Sequence, residues 1–113
     1  MDRPFTTVTS RDDVEQLFAR SAERPVIVFK HDTTCSISRA AYGEMERVTE
    51  DVAIVDVDHD VSGEVAERTG VQHESPQVIV VRDGQAIWSA SHHDITQAAV
   101  ERAVAEGSEN SAR

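Results

Sequence analysis

Apolar and polar residues follow one another along the chain in patterns that predict five strands and four helices. A continuous apolar run at residues 26–29, and a run at residues 52–57 that is interrupted only by Asp56, are typical of strands buried on both faces of a sheet. Two further strand-like segments flank Asp83-Gly84, a dipeptide that favours a tight hairpin turn. The predicted strands cover residues 5–8, 26–29, 52–57, 77–81 and 85–89.

Apolar residues at helical spacing predict the four helices between and after these strands. The helices are expected at residues 11–22, from the Cys35 loop to about residue 50, from residue 61 to Gly70, and at residues 95–106. Ser10 has Asp13 three residues later, the form of a capping box. Asp60 and Asp94 are the expected N-caps of the last two helices.

The order of elements predicts an α/β fold with a mixed central sheet flanked by helices on both faces. Crossover helices between the early strands imply parallel neighbours, and the hairpin adds an antiparallel edge. The chain of 113 residues is long enough for one domain, expected over residues 1–106. Residues 107–113 are polar and are expected to form a disordered tail.

Composition narrows the classes of function that the chain can have. A formal net charge of −10 argues against nucleic acid as a partner, because phosphate binding needs a basic surface. No apolar run approaches the ~18 residues that span a membrane, and the first residues lack the pattern of a signal peptide. A single cysteine fits the reducing cytoplasm. We therefore expect a cytoplasmic monomer, with the acidic residues forming a solvated face rather than a docking surface.

Cys35, the only cysteine, lies where an apolar run gives way to a helical pattern. Unpaired N–H groups at a helix N-terminus favour thiolate over thiol. Lys30 and His31 add positive character nearby. Ser38 stands where a Cys-x-x-Cys motif has its second sulfur, so a disulfide at Cys35 must be with another molecule. The inert alternative is a buried structural cysteine.

The polar residues around Cys35 each allow two interpretations. Thr33 and Thr34 can hydrogen-bond the sulfur or cap the helix. Ser38 can donate to the thiolate or bond to its own helix backbone. Lys30 can stabilise the thiolate or a ligand carboxylate, or it can be solvated. The five histidines are not spaced like a zinc site, so no metal is expected.

Two motifs and the order of elements carry a family resemblance. The order of elements, the cysteine that opens the second helix, and Ser75-Pro76 before the fourth strand resemble the thioredoxin fold. This resemblance implies that Pro76 is cis and faces the sulfur, and that the backbone before it pairs with the substrate. More narrowly, the segments at residues 29–38 and 74–77 resemble YtxJ-type monothiol bacilliredoxins. Ser36 stands where that family usually has proline, and it adds one N–H group near the sulfur.

The resemblance implies a function in thiol exchange. Bacilliredoxins remove bacillithiol from S-bacillithiolated proteins, so Cys35 is expected to form a mixed disulfide with bacillithiol as co-substrate, with no bound cofactor. A second bacillithiol or a reductase would then resolve it. The alternatives are a glutaredoxin-like protein that uses glutathione, an iron–sulfur carrier, and a non-catalytic binding module. The usual Cys-Gly-Phe-Ser of cluster carriers differs from the Cys-Ser-Ile-Ser of this chain.

Overall fold

The computed structural model of the chain describes residues 5–56 and 61–111, with side chains up to residue 108. Within this part, five strands form a mixed sheet and four α-helices flank it, as predicted. The strands are β1 (Thr6–Val8), β2 (Val26–His31), β3 (Val52–Asp56), β4 (Gln77–Arg82) and β5 (Gln85–Ser91). The helices are α1 (Arg11–Arg20), α2 (Ser36–Glu46), α3 (Val61–Thr69) and α4 (Gln97–Ser111), with a 3-10 turn at His92–Asp94. None of the described helices is both long and apolar enough to cross a membrane.

The sheet has the strand order β1-β3-β2-β4-β5. The strands β1, β3 and β2 are parallel, because helices connect them in sequence. Strand β4 runs antiparallel to β2, and the hairpin makes β5 antiparallel to β4. Asp83 and Gly84 both have positive φ angles, 56° and 76°, as a type I′ hairpin turn requires.

Two apolar cores cover the two faces of the sheet, because alternate strand residues point to opposite faces. In β2, Ile27 and Phe29 pack on the face covered by α2 and α4. Val26 and Val28 pack on the face covered by α1 and α3. By the same alternation His31 belongs to the α2/α4 face and Lys30 to the α1/α3 face, which separates these two neighbours in the candidate site.

The N-terminus of α1 is capped as predicted. Ser10 has extended backbone angles, and its hydroxyl accepts a hydrogen bond of 3.1 Å from Asp13 N–H. The Asp13 carboxylate reaches back to Thr9 N–H at 3.0 Å, one residue before the position expected in a capping box. These hydrogen bonds lower the pKa of Asp13, with the Thr9 backbone bond as the largest cause.

Several predicted helix ends were wrong. The first helix ends at Arg20 rather than residue 22, and the second at Glu46 rather than about residue 50. Residues 47 and 48 instead bond to carbonyls three residues back, which tightens the chain before β3. Val57 and Asp60, predicted to end the third strand and to cap the third helix, lie outside the described residues.

The last helix differs most from its prediction. Asp94 lies in the 3-10 turn and does not cap α4. Thr96 caps it instead, because its hydroxyl accepts a hydrogen bond of 3.2 Å from Ala99 N–H. The helix also continues five residues beyond the predicted end, so residues 107–111 are helical rather than a disordered tail. Gly107 is buried beside Ile87 and Pro25, which explains why this end of the helix stays on the domain.

Candidate active site

Cys35 is the N-cap residue of α2, with extended backbone angles of φ −106° and ψ 128°. Its thiol is free and partly exposed, and it makes no hydrogen bond to any described residue. The first turn of α2, which is fully described, contains no acidic residue. The sulfur thus lies beside unpaired N–H groups of a helix whose first turn carries no carboxylate, although the Asp32 side chain lies in the preceding turn.

Asp32 shapes the turn that leads to Cys35. Its carboxylate accepts hydrogen bonds from Thr34 N–H at 2.9 Å and from the Thr34 hydroxyl at 2.7 Å. The hydroxyl and then the N–H of Thr34 lower the pKa of Asp32. The Cys35 N–H donates to the Asp32 carbonyl at 3.2 Å. Thr34 therefore holds the turn and neither caps the helix nor binds the sulfur.

Thr33 and Ser36, two further residues predicted in the site, are exposed on either side of this turn. Ser36 begins α2, at the position where the resembling family usually has proline. It retains the backbone N–H group that a proline would lack. The structure thus places both residues beside Cys35 without giving either a contact with its sulfur.

Ser38 is fully buried and bonds to neither of its two expected partners. Its hydroxyl oxygen accepts a hydrogen bond of 2.9 Å from Asp32 N–H. The same oxygen lies 2.7 Å from His31 Nδ1. The serine at the position of a second cysteine thus ties α2 to the end of β2.

The His31 side chain is almost completely buried beside Ser38. Its ring centre lies 5.3 Å from that of Phe29 and 5.1 Å from that of Tyr42. Burial lowers the pKa of His31, although Asp56 and Asp32 oppose the shift. The lowered pKa favours the neutral form of His31. The sequence suggested that it brings positive charge, which the structure does not support.

Lys30 lies on the opposite face of the sheet and is fully buried, so its solvated interpretation was wrong. Its Nζ atom lies 3.3 Å from His73 Nδ1. Burial lowers the pKa of Lys30 from 10.5 to about 8. Burial and the nearby Lys30 also lower the pKa of His73. Lys30 therefore has no open path to a ligand carboxylate in solvent.

The polar neighbours of Lys30 are His73, which is exposed, and Gln77, which is buried, and sequence analysis missed the role of both. Gln77 is paired with Lys30 across β2 and β4, and its side-chain amide donates to the Gln72 carbonyl at 2.9 Å. Its carbonyl oxygen is buried without a partner among the described residues. A signal was present, because a lysine that continues a strand buried on both faces needs a polar partner.

The Ser75-Pro76 peptide bond is cis, as the family resemblance implies. Gln77 is opposite Lys30, so extending the antiparallel register by one residue places Pro76 opposite His31. The Pro76 carbonyl accepts a hydrogen bond of 3.0 Å from His92 N–H. The Ser75 backbone makes no hydrogen bond within the described part of the chain. The Cys35 turn and the Ser75-Pro76 bond thus lie at the same end of the sheet.

No group of three metal-binding side chains forms among the residues that the structure describes.

The fold and this site define a protein of the thioredoxin-fold class, and comparison with solved structures agrees. A thioredoxin of Malassezia sympodialis (Mala s 13) has a TM-score of 0.70 at 18% identity, over 96% of this chain and 95% of that one. The thioredoxin of Fasciola hepatica has a TM-score of 0.71 at 18% identity, over 91% and 99% of the two chains. At this level of identity both likenesses concern the fold.

A more similar structure is a thioredoxin-fold protein proposed to be an oxidoreductase. It has a TM-score of 0.78 at 31% identity, over 87% of this chain and 91% of that one. The family model described as monothiol bacilliredoxin BrxC matches residues 6–100. The chain therefore belongs to the monothiol bacilliredoxin family, and its function is thiol redox chemistry.

Proposed function

We propose that this protein is a monothiol thiol–disulfide oxidoreductase that removes bacillithiol from S-bacillithiolated proteins in the cytoplasm. The observation that carries the proposal is a single, partly exposed thiol at a helix N-cap, at the sheet end that also holds a cis proline. A partly exposed thiol beside unpaired helix N–H groups is suited to act as a nucleophile. Membership of the bacilliredoxin family supports bacillithiol as the co-substrate.

In the proposed reaction, the Cys35 thiolate attacks the bacillithiol sulfur of a protein–bacillithiol mixed disulfide. A Cys35–bacillithiol disulfide forms while the original disulfide breaks, and the electron pair leaves with the sulfur of the protein substrate. Ser38 carries oxygen and cannot attack the new disulfide. A second bacillithiol molecule, or a reductase, therefore resolves it, and the protein acts as a monomer without a bound cofactor.

The Ser75 backbone supports a docking mode for the substrate. It is unpaired among the described residues and lies one peptide bond before the cis proline. An extended segment carrying the mixed disulfide can add to this backbone as an extra strand. Such pairing would hold the substrate sulfur at the end of β2, where Cys35 begins α2.

Mass spectrometry of the intact protein tests this proposal. A reduced sample is mixed with a bacillithiolated protein, and we expect transfer of one bacillithiol to Cys35 together with release of the free protein thiol. Cys35→Ser should lose the transfer completely, because an alcohol does not replace a thiolate as nucleophile. A glutathionylated protein serves as the comparison substrate.

The two substrates separate the possible outcomes. Faster transfer from the glutathionylated protein would identify glutathione as the co-substrate and contradict our choice of bacillithiol. No transfer from either substrate, with the thiol confirmed as reduced and open to alkylation, would instead indicate a non-catalytic binding module.

A further inference from the structure

We propose that Ser38 holds His31 as the neutral tautomer with its proton on Nε2, and that this N–H group donates a hydrogen bond to the sulfur that leaves when Cys35 attacks. This inference rests on the proposed disulfide exchange and assigns a catalytic role to His31 within it. Ser38 then has a positioning role in place of the resolving role of a second cysteine.

The tautomer follows from accounting for the hydrogen atoms at Ser38. A hydroxyl has one hydrogen to donate and two lone pairs to accept. One lone pair accepts Asp32 N–H at 2.9 Å, and the only other partner among the described residues is His31 Nδ1 at 2.7 Å. Because Ser38 is fully buried, its hydrogen must find an acceptor. The hydroxyl therefore donates to Nδ1, and the imidazole proton lies on Nε2.

The resulting Nε2–H group is available to a substrate. It has no hydrogen-bond partner among the described residues. In the described part of the chain, the buried side-chain polar atoms without a partner are Gln77 Oε1 and Arg82 Nε. His31 Nε2 is not among them. The group therefore keeps contact with solvent. Cys35 Sγ does not use it in the resting state, which leaves it free for a second sulfur.

Three features bring this donor to the reacting atoms. Cys35 and Ser38 are three residues apart and therefore lie on the same side of the first turn of α2. Ser38 in turn contacts His31. Pro76 lies opposite His31 in the extended β2–β4 register. A disulfide that docks between the Cys35 turn and the cis proline thus meets the edge of the His31 ring.

The chemical step balances without proton transfer from His31. The Cys35 sulfur forms a bond to the nearer substrate sulfur, and the old disulfide bond breaks. Its electron pair stays on the farther sulfur as a thiolate. The Nε2–H group stabilises this thiolate as a hydrogen-bond donor, and solvent supplies the proton afterwards. A neutral imidazole is suited to this role because it donates without first having to be protonated.

Leaving groups of different acidity test the proposal. His31→Phe keeps the ring stacking but removes the donor, and His93→Phe is the matched control. The substrates are mixed disulfides of bacillithiol with an alkyl thiol and with 2-nitro-5-thiobenzoate, whose charge is delocalised. We expect His31→Phe to react on the order of tenfold more slowly with the alkyl thiol as leaving group, and within about twofold of the wild type with 2-nitro-5-thiobenzoate. An equal loss with both leaving groups would overturn the proposal.

Alkylation by iodoacetamide, which has no sulfur leaving group, should be unchanged in the same variant. If the wild type does not accept bacillithiol, the proposed function fails, but the leaving-group series can still be run with disulfides of 2-mercaptoethanol.

Nitrogen-15 NMR of the wild type and of Ser38→Ala gives a second measurement that does not depend on the folding of His31→Phe. The wild type should show the Nε2–H tautomer at neutral pH, and Ser38→Ala should show a mixture. An imidazolium or an Nδ1–H tautomer in the wild type would be decisive against the idea.

Discussion

Lys30 carries an amino group in the core without a carboxylate partner among the described residues. Burial lowers its pKa from 10.5 to about 8. Between these pH values the unfolded chain holds a proton that the folded protein has released, so stability rises with pH in this window. Below pH 8 the amino group is protonated in the folded and in the unfolded protein. The unfavourable free energy of burying its charge is then at its maximum, since taking an unpaired charge out of water is unfavourable.

Lys30→Met removes this charge and keeps most of the side-chain volume. We expect the variant to be more stable than the wild type at pH 7, by up to about 3 kcal/mol. The advantage should shrink steadily as the pH rises from 8 towards 10. Urea unfolding of both proteins across this range measures the difference, and other titrating groups cancel in the comparison. If the free energies of unfolding of the two proteins change in parallel with pH, Lys30 is not buried as a charge.

At the scale of elements, the start of α4 differs from the expectation that Asp94 caps this helix. Thr96, two residues later, is also a good type of N-cap residue, but the sequence analysis named only the aspartate. In the structure, β5 extends to Ser91 and the 3-10 turn at His92–Asp94 follows it directly. His92 N–H is bound to the Pro76 carbonyl, which ties this turn to the site. The helix therefore begins two residues later than predicted, after Thr96.

Replacement of each candidate by alanine separates the two possibilities. Thr96→Ala loses the hydrogen bond to Ala99 N–H and should lower the free energy of unfolding by about 1 kcal/mol. Asp94→Ala should change it by less than about 0.5 kcal/mol, since the residue is exposed and caps no helix. Denaturant unfolding of the two variants gives the comparison. A larger loss from Asp94→Ala would restore the original assignment.

At the scale of the whole molecule, the last turns of α4 pack against β5 and against the residue that precedes β2. A Cβ atom on Gly107 would lie 2.6 Å from Ile87 Cδ1 on β5 and 3.0 Å from Pro25 Cγ before β2. A larger residue at this position would therefore require the Ile87 side chain or Pro25 to move. The same position would tolerate any small residue if the chain were disordered there.

Gly107→Ala and Gly63→Ala form a matched pair that tests this packing. Both replace a helical glycine, but a Cβ on Gly63 meets nothing within 4 Å. Gly63→Ala should stabilise the protein by about 0.5–1 kcal/mol through helix propensity. Gly107→Ala should fall short of that gain by at least about 1 kcal/mol because of the contacts with Ile87 and Pro25. Thermal unfolding measures both, and Ile87→Ala should restore part of the gain. Equal effects at the two glycines would contradict the packing.

Residue patterns were sufficient to predict the class of fold and the position of the thiol. Apolar runs, the Asp83-Gly84 turn and helical spacing depend on short stretches of chain, so they located the five strands and four helices of the described residues. The end of one apolar run and the start of the next helix likewise placed Cys35 at the N-terminus of α2. The cis bond at Pro76 was predicted only through the family resemblance.

The sequence by itself determined the order of elements and the position of the single sulfur at the start of α2, because both depend on neighbouring residues. Only the tertiary structure decided which contacts the polar residues near Cys35 in the sequence make. Lys30 meets a histidine 43 residues away, and the Ser38 hydroxyl turns to His31 rather than to the thiol. These choices depend on which face each side chain occupies and on what buries it. No local pattern contains that information, because burial is a property of the packed sheet and helices together.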